Sequence, residues 1–185
     1  MHTALPSNID KREFLAWGER QEGRYELVRG NAVMTPPSMR VHALTRMSLF
    51  SLIYARLDGA KWEILLNFGV DIGPRSIRYP DIVVDRTGGA GSDLTATAPA
   101  LIVEVLSPAT AETDLGEKPS EYLRLSSLAA YLVFSQDEPK AWIWMRKDNG
   151  FPTAPETVEA DGTVRIPCLQ VDLRLADVYR DSRTR

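Results

Sequence analysis

The segment Leu101-Ile102-Val103-Glu104-Val105-Leu106 constrains this chain more than any other. A run this apolar, preceded by Ala100 and closed by Ser107-Pro108, predicts a strand buried on both faces, hence a central strand of a covered sheet. Glu104 lies within it. An ionised carboxylate buried without a partner costs several kcal/mol, so Glu104 either faces a cleft at the strand end or is paired with a cation. Asp81, in Pro80-Asp81-Ile82-Val83-Val84, is a second acid beside a β-branched run. Adjacent strands would bring both carboxylates to a common edge, where such acids share a proton or bind a divalent ion. The plainer alternative pairs Glu104 with an arginine and lets Asp81 merely start a strand.

Around that strand the pattern is α/β, more fully an α+β mixed sheet: a central sheet flanked by helices, with an N-terminal helix and a β-hairpin. A first helix is expected over about 10–20, capped by Ser7 or Asn8. Tyr25–Val28, Arg29-Gly30-Asn31 and Ala32–Met34 read as strand, turn and strand. Val41, Leu44, Thr45, Ser48, Leu49, Leu52 and Ile53 recur at helical spacing, predicting a helix over 39–57 with Ser38 as its cap. Strands follow at 62–67, 68–72, 80–84 and 100–106, then a helix starting at 112 or 119 and ending at 126. Further strands are expected at 130–134, 141–146 and within 157–166, and a last turn at 175–179. The absence of repeats and linkers makes residues 1–185 one domain, with a core over about 10–180.

Composition narrows the chemistry. One cysteine, Cys168, excludes an intrachain disulfide and every Cys-rich zinc site, and two histidines exclude a three-His site. Any metal must be held mainly by carboxylates, which suits hard cations such as Mg²⁺ or Mn²⁺. The net charge of −3 hides an asymmetry: residues 1–90 carry 12 Lys/Arg against 10 Asp/Glu. So small an excess neither argues for nucleic acid nor forbids it, because a local groove outweighs the total. The N-terminal residues lack the basic start and apolar stretch of a signal peptide, and no apolar run reaches membrane-spanning length, so a cytoplasmic protein without a membrane partner is expected.

The order Tyr25-Glu26-Leu27-Val28-Arg29-Gly30, Met34-Thr35-Pro36-Pro37-Ser38, His42, Pro80-Asp81-Ile82-Val83-Val84, Glu104-Val105-Leu106-Ser107-Pro108-Ala109-Thr110, then Asp114, Glu117-Lys118 and Tyr122, resembles the Uma-type restriction endonuclease family of the PD-(D/E)XK nuclease superfamily. The resemblance implies a restriction-endonuclease-like core and a metal-dependent nuclease that hydrolyses DNA phosphodiester bonds. It implies that Asp81 and Glu104 bind Mg²⁺ or Mn²⁺, with the Val105 carbonyl completing the site. The lysine that activates water would be Lys118, from the helix after the strand, since Leu106 occupies the superfamily's usual lysine position. Glu26 resembles the family's auxiliary acid, which binds metal or positions Lys118; an ordinary cross-strand ion pair is its alternative. His42 is either a second auxiliary residue touching a phosphate or a water near the site, or a helix-surface or partly buried histidine.

Pro119 directly follows Lys118 and should push it out of helical dihedrals, starting the helix at Pro119. Lys118 also has a bland reading, a solvated ion pair with Asp114 at i,i+4. Tyr122 reads as packing and Cys168 as a small apolar filler. Trp142 and Trp144 alternate on one strand and share a face, for the core or for a homodimer. Two rival functions stand beside the nuclease: a binding or regulatory protein with a vestigial metal site, and a structural dimer.

Overall fold

The computed structural model describes residues 5–180. Its elements run α1 (Lys11–Gly18), β1 (Tyr25–Val28), β2 (Asn31–Met34), α2 (Arg40–Tyr54), β3 (Trp62–Leu66), β4 (Val70–Gly73), β5 (Ser76–Arg78), β6 (Ile82–Arg86) and β7 (Leu101–Leu106). A π-helical turn (Thr113–Glu117) continues into α3 (Lys118–Tyr122), and β8 (Ala130–Ser135), β9 (Lys140–Met145), β10 (Glu156–Glu159), β11 (Thr163–Ile166), β12 (Val171–Arg174) and α4 (Leu175–Val178) follow.

Six strands in the order β10-β9-β8-β7-β6-β3 form the main sheet. Only β7 and β8 run parallel within it, so the segment between them must cross over, and the π turn and α3 make that crossing. Strand β7 is interior and buried on both faces, as its unbroken apolar sequence requires. Alternation sends Leu101, Val103 and Val105 to one face, against Leu49 and Ile53 of α2 and Val178 of α4. Each such aliphatic side chain contributes about 1.5–3 kcal/mol on full burial. The other face carries Ile102 with Val83, Tyr122, Tyr131 and Trp144. Glu104 has the parity of Ile102 and therefore points to the α3 side.

A second sheet, β2-β1-β5-β4, stands apart with its own small core of Phe14, Leu27, Ala32 and Ile77. Its hairpin turns on Arg29 (φ 51°) and Gly30 (φ 85°), and two consecutive positive φ values suit a tight right-twisting connection.

Several sequence expectations are corrected. Asp10, not Ser7 or Asn8, caps α1, through a capping box with Glu13. Met39 rather than Ser38 precedes α2 and makes no side-chain cap. The expected strands at 62–67 and 68–72 separate into β3 and β4 of different sheets, because Asn67 turns the chain at φ 48°. Lys118 is helical (φ −59°, ψ −40°) despite Pro119, since the preceding π turn changes the backbone register. Cys168 is exposed, because the 3₁₀ turn Pro167–Leu169 sends Leu169 inward in its place. Trp144 is buried and stacks on Tyr131 at 5.4 Å, and Trp142 packs partly buried in the same cluster, as a core face.

Candidate active site

Strands β6 and β7 pair antiparallel with Ile82 opposite Val103, and one step further sets Asp81 opposite Glu104. The Asp81 amide donates to Glu104 Oε2 (3.3 Å), and the Val105 amide donates to Asp81 Oδ2 (2.9 Å). Asp81 Oδ1 meets His42 Nε2 at 3.0 Å and accepts from Arg46 Nη1 at 3.3 Å, both from α2. Burial pushes the Asp81 carboxyl up, but the His42 hydrogen bond, the Val105 amide and Arg46 outweigh it, so Asp81 lies below the usual carboxylate range. An ionised Asp81 only accepts, which assigns the proton to His42 Nε2.

Glu104 has the opposite balance. Lys118 Nζ (2.7 Å) and the Tyr122 hydroxyl (3.2 Å) both donate to its Oε1. Burial nevertheless dominates, and with the charges of Asp114 and Asp81 it pushes the Glu104 carboxyl up to about 8 against the pull of Lys118. Lys118 itself lies above its ordinary value: burial opposes its charge, but Glu104, Glu26 and Asp114 outweigh burial. Asp114 Oδ1 stands 2.9 Å from Lys118 Nζ, so the lysine keeps an anionic partner even when Glu104 takes a proton. We therefore read Lys118 as an ammonium beside a weakened acid. The i,i+4 pair with Asp114 exists, yet it is buried rather than solvated.

Glu26 and Arg78 are cross-strand neighbours on β1 and β5. Arg78 Nη1 donates to Glu26 Oε2 (2.9 Å), Nε donates to Glu121 Oε2 (2.7 Å), and Nη2 lies 3.5 Å from Glu117. Burial opposes ionisation of Glu26, but Lys118, Arg78 and the Tyr79 amide hold its carboxyl below the ordinary value. The cross-strand pair is thus realised, and through Arg78 it ties the small sheet to the helix that carries Lys118.

All six candidate site residues, Glu26, His42, Asp81, Glu104, Val105 and Lys118, line one open cleft of about 430 Å³. His42 is buried, not a surface residue of the helix. Arg46, Arg78 and Glu121 escaped the sequence reading, and Tyr122 does more than pack. No spacing or motif in the sequence marked either arginine.

Among the described residues no three His, Cys, Asp or Glu side chains are grouped to enclose an ion. Mg²⁺ does not require such a cage, since it takes one or two carboxylates and completes its shell with water and substrate phosphate. Asp81 and Glu104 are hard oxygen donors side by side on the wall of one open cleft, with the Asp81 amide on Glu104 Oε2 holding the two acids adjacent. The residues present fit a hard divalent cation.

Fold and cleft together define the class: a restriction-endonuclease-like α/β protein with two acids and a lysine at a strand edge. Residues 12–177 match the Uma2 family, "Putative restriction endonuclease", and the chain belongs to that family. A crystal structure from Anabaena variabilis ATCC 29413, described as a "putative nuclease belonging to DUF820", has the same fold. The TM-score is 0.77 at 18% identity, over 93% of this chain and 98% of that one. The uncharacterized protein slr1290 of Synechocystis sp. is 29% identical over 150 residues, covering 77% of this chain and 76% of the relative. No helix among the described residues is long and apolar enough to cross a membrane.

Proposed function

We propose that this protein is a nuclease that hydrolyses DNA phosphodiester bonds with the help of Mg²⁺ or Mn²⁺ held by Asp81, Glu104 and the Val105 carbonyl. The observation that carries the reading is the meeting of Asp81, Glu104 and Lys118 at one strand edge of an open cleft. When bound, such an ion supplies positive charge to the phosphate and acidifies a water. The chain's own residues do the rest. His42 and Arg46 fix the orientation of Asp81 through its Oδ1, leaving Asp81 ionised. Lys118 holds its protons at Nζ, and Asp114 anchors it, so an N–H is available to orient the attacking water or to meet charge on the phosphate. Tyr122 steadies Glu104.

The test is incubation of single- and double-stranded DNA with Mg²⁺ or Mn²⁺, against EDTA and an Asp81→Ala control. Lys118→Ala should abolish cleavage while metal affinity stays near wild type, because an ammonium cannot ligate Mg²⁺. Cleavage by Lys118→Ala at the wild-type rate would remove the lysine from the mechanism. A second reading, a binding or regulatory protein on this fold, is favoured by one observation: each carboxylate already has an internal cation, Arg46 on Asp81 and Lys118 on Glu104. DNA binding without metal-dependent cleavage is its signature.

A further inference from the structure

Beside the catalytic cleft lies a second hollow of about 300 Å³, walled mainly by Phe14, Leu15, Tyr25, Tyr79 and Leu94. The two are contiguous: Arg24, Thr35, Asn67 and Tyr79 line both. The hollow is pinned by backbone, since a Cβ on Gly69 would lie 2.5 Å from the Leu94 carbonyl and the Ala96 amide bonds to the Gly69 carbonyl at 2.8 Å. It is therefore preformed.

The ridge between the hollows holds two guanidinium groups on one neutral acceptor. Arg24 Nη1 (3.0 Å) and Arg46 Nη1 (3.1 Å) both donate to Asn67 Oδ1. Like charges this close, with an amide rather than a carboxylate between them, are uncompensated on that side. Arg46 is shared with Asp81, and its Nε is buried with no partner, whereas no acid pairs with the exposed Arg24 among the described residues. Two donors on Oδ1 also fix the amide's orientation, so Asn67 Nδ2 keeps its two N–H groups for something else. Asn67 adopts φ 48°, an uncommon conformation for a side-chain-bearing residue, and its amide bonds to the Asp81 carbonyl at 3.3 Å. The ridge is thus built rigidly onto the strand end that bears the catalytic acid.

We infer that this ridge binds the phosphate next to the scissile one, through Arg24 and Asn67 Nδ2, and that the adjoining hollow receives the base of that nucleotide. The inference rests on the nuclease reading and narrows it to a single-stranded DNA segment. A hollow at the small end of ligand-pocket sizes, with tyrosine and aliphatic walls, suits one unstacked base, whereas a paired base in a duplex stays in its stack.

Asn67→Asp gives the decisive variant. A carboxylate at 67 should hold Arg24 and Arg46 more strongly and keeps the left-handed backbone available, so a merely structural ridge predicts an equal or higher melting temperature and unchanged DNA affinity. A phosphate site predicts repulsion. Binding of a fluorescent dT12 oligonucleotide in EDTA should weaken about tenfold or more for Asn67→Asp with melting unimpaired. Arg24→Ala, at an exposed position, should weaken it comparably and reduce the slope of log affinity against log salt by roughly 0.7, one phosphate contact to a single strand. An abasic dodecamer should bind wild type more weakly than dT12, and a duplex should show a smaller dependence on residue 67. If both variants bind dT12 like wild type, the ridge is not a phosphate site; if abasic and dT12 oligomers bind equally, the hollow takes no base. The nuclease reading fails separately, by wild type binding in EDTA as described but cutting nothing with Mg²⁺ or Mn²⁺.

Discussion

Asp81 and Glu104 are acids of similar chemistry in opposite electrostatic company, and the difference is measurable. Asp81 ionises easily because His42, Arg46 and the Val105 amide favour its charge. Glu104 resists ionisation, buried deeper and facing two other acids. In chelator, Asp81→Asn should therefore lose about 1–3 kcal/mol, because its buried partners were organised around a carboxylate. Glu104→Gln should melt no lower than wild type, since the amide removes an unfavourable charge and Asp114 still pairs Lys118. Adding Mg²⁺ to ten times its Kd should raise wild-type stability by about 1.4 kcal/mol, a few degrees for a domain this size. Neither variant should show most of that gain. Thermal melts with and without metal check all three expectations, and equal metal shifts in the three proteins would put the ion elsewhere. Glu26 gives a pH signature. Its carboxyl is depressed in the fold, so its stabilisation is present above the unfolded value of 4.5 and is lost as pH falls through the lower folded value. Glu26→Gln should cost about 3 kcal/mol near pH 7, the low end for breaking a buried pair because Arg78 retains Glu121. Urea titrations at descending pH should show that gap closing below about pH 4.5.

The segment Thr113–Tyr122 decides where Lys118 points, and here the sequence misled for an identifiable reason. A proline normally drives the residue before it out of the helical region. The π turn admits it: the Lys118 amide bonds five residues back to the Thr113 carbonyl. Continuing that register, residue 119 would donate to the Asp114 carbonyl, and proline has no N–H. The Tyr131 hydroxyl, from β8, donates to that carbonyl at 2.8 Å instead. Local sequence could not reveal a donor supplied by the neighbouring strand. Tyr131→Phe should leave the Asp114 carbonyl buried and unpaired, at about 1–3 kcal/mol, and slow cleavage by letting Asp114 and Lys118 shift. Pro119→Ala in the Tyr131→Phe background should recover part of both losses by restoring a backbone donor, which a double-mutant cycle on stability and rate would read. Full additivity of the two changes would separate the hydroxyl from the turn.

Across the molecule, what the sequence disclosed follows from how strongly each feature is patterned. The main sheet was legible because β6, β7, β8 and β9 are apolar runs with clear ends, and α2 because its apolar residues recur at helical spacing. The second sheet was legible in part: its hairpin β1–β2 and strand β4 carried a pattern, whereas β5 is Ser76-Ile77-Arg78, a single apolar residue between polar ones, and β12, paired with β11 apart from both larger sheets, alternates over only four residues. The acids and the lysine were readable from motif and burial, whereas Arg46 and Arg78 were not, since an arginine on a helix or a short strand carries no pattern of its own. One consequence concerns the ribosome. Every proposed catalytic residue lies at or before position 118, yet β7 depends on a parallel partner, β8, that emerges after the crossover. Parallel pairing of this kind forms late, because its loop must close before any contact rewards it. A nascent or truncated chain ending at Leu128 would hold Asp81, Glu104 and Lys118 without the strand that fixes β7 and without Tyr131. Such a fragment should show neither a cooperative melt nor any cutting of DNA. The cell would then be spared a nuclease that becomes active while its own messenger is still being translated.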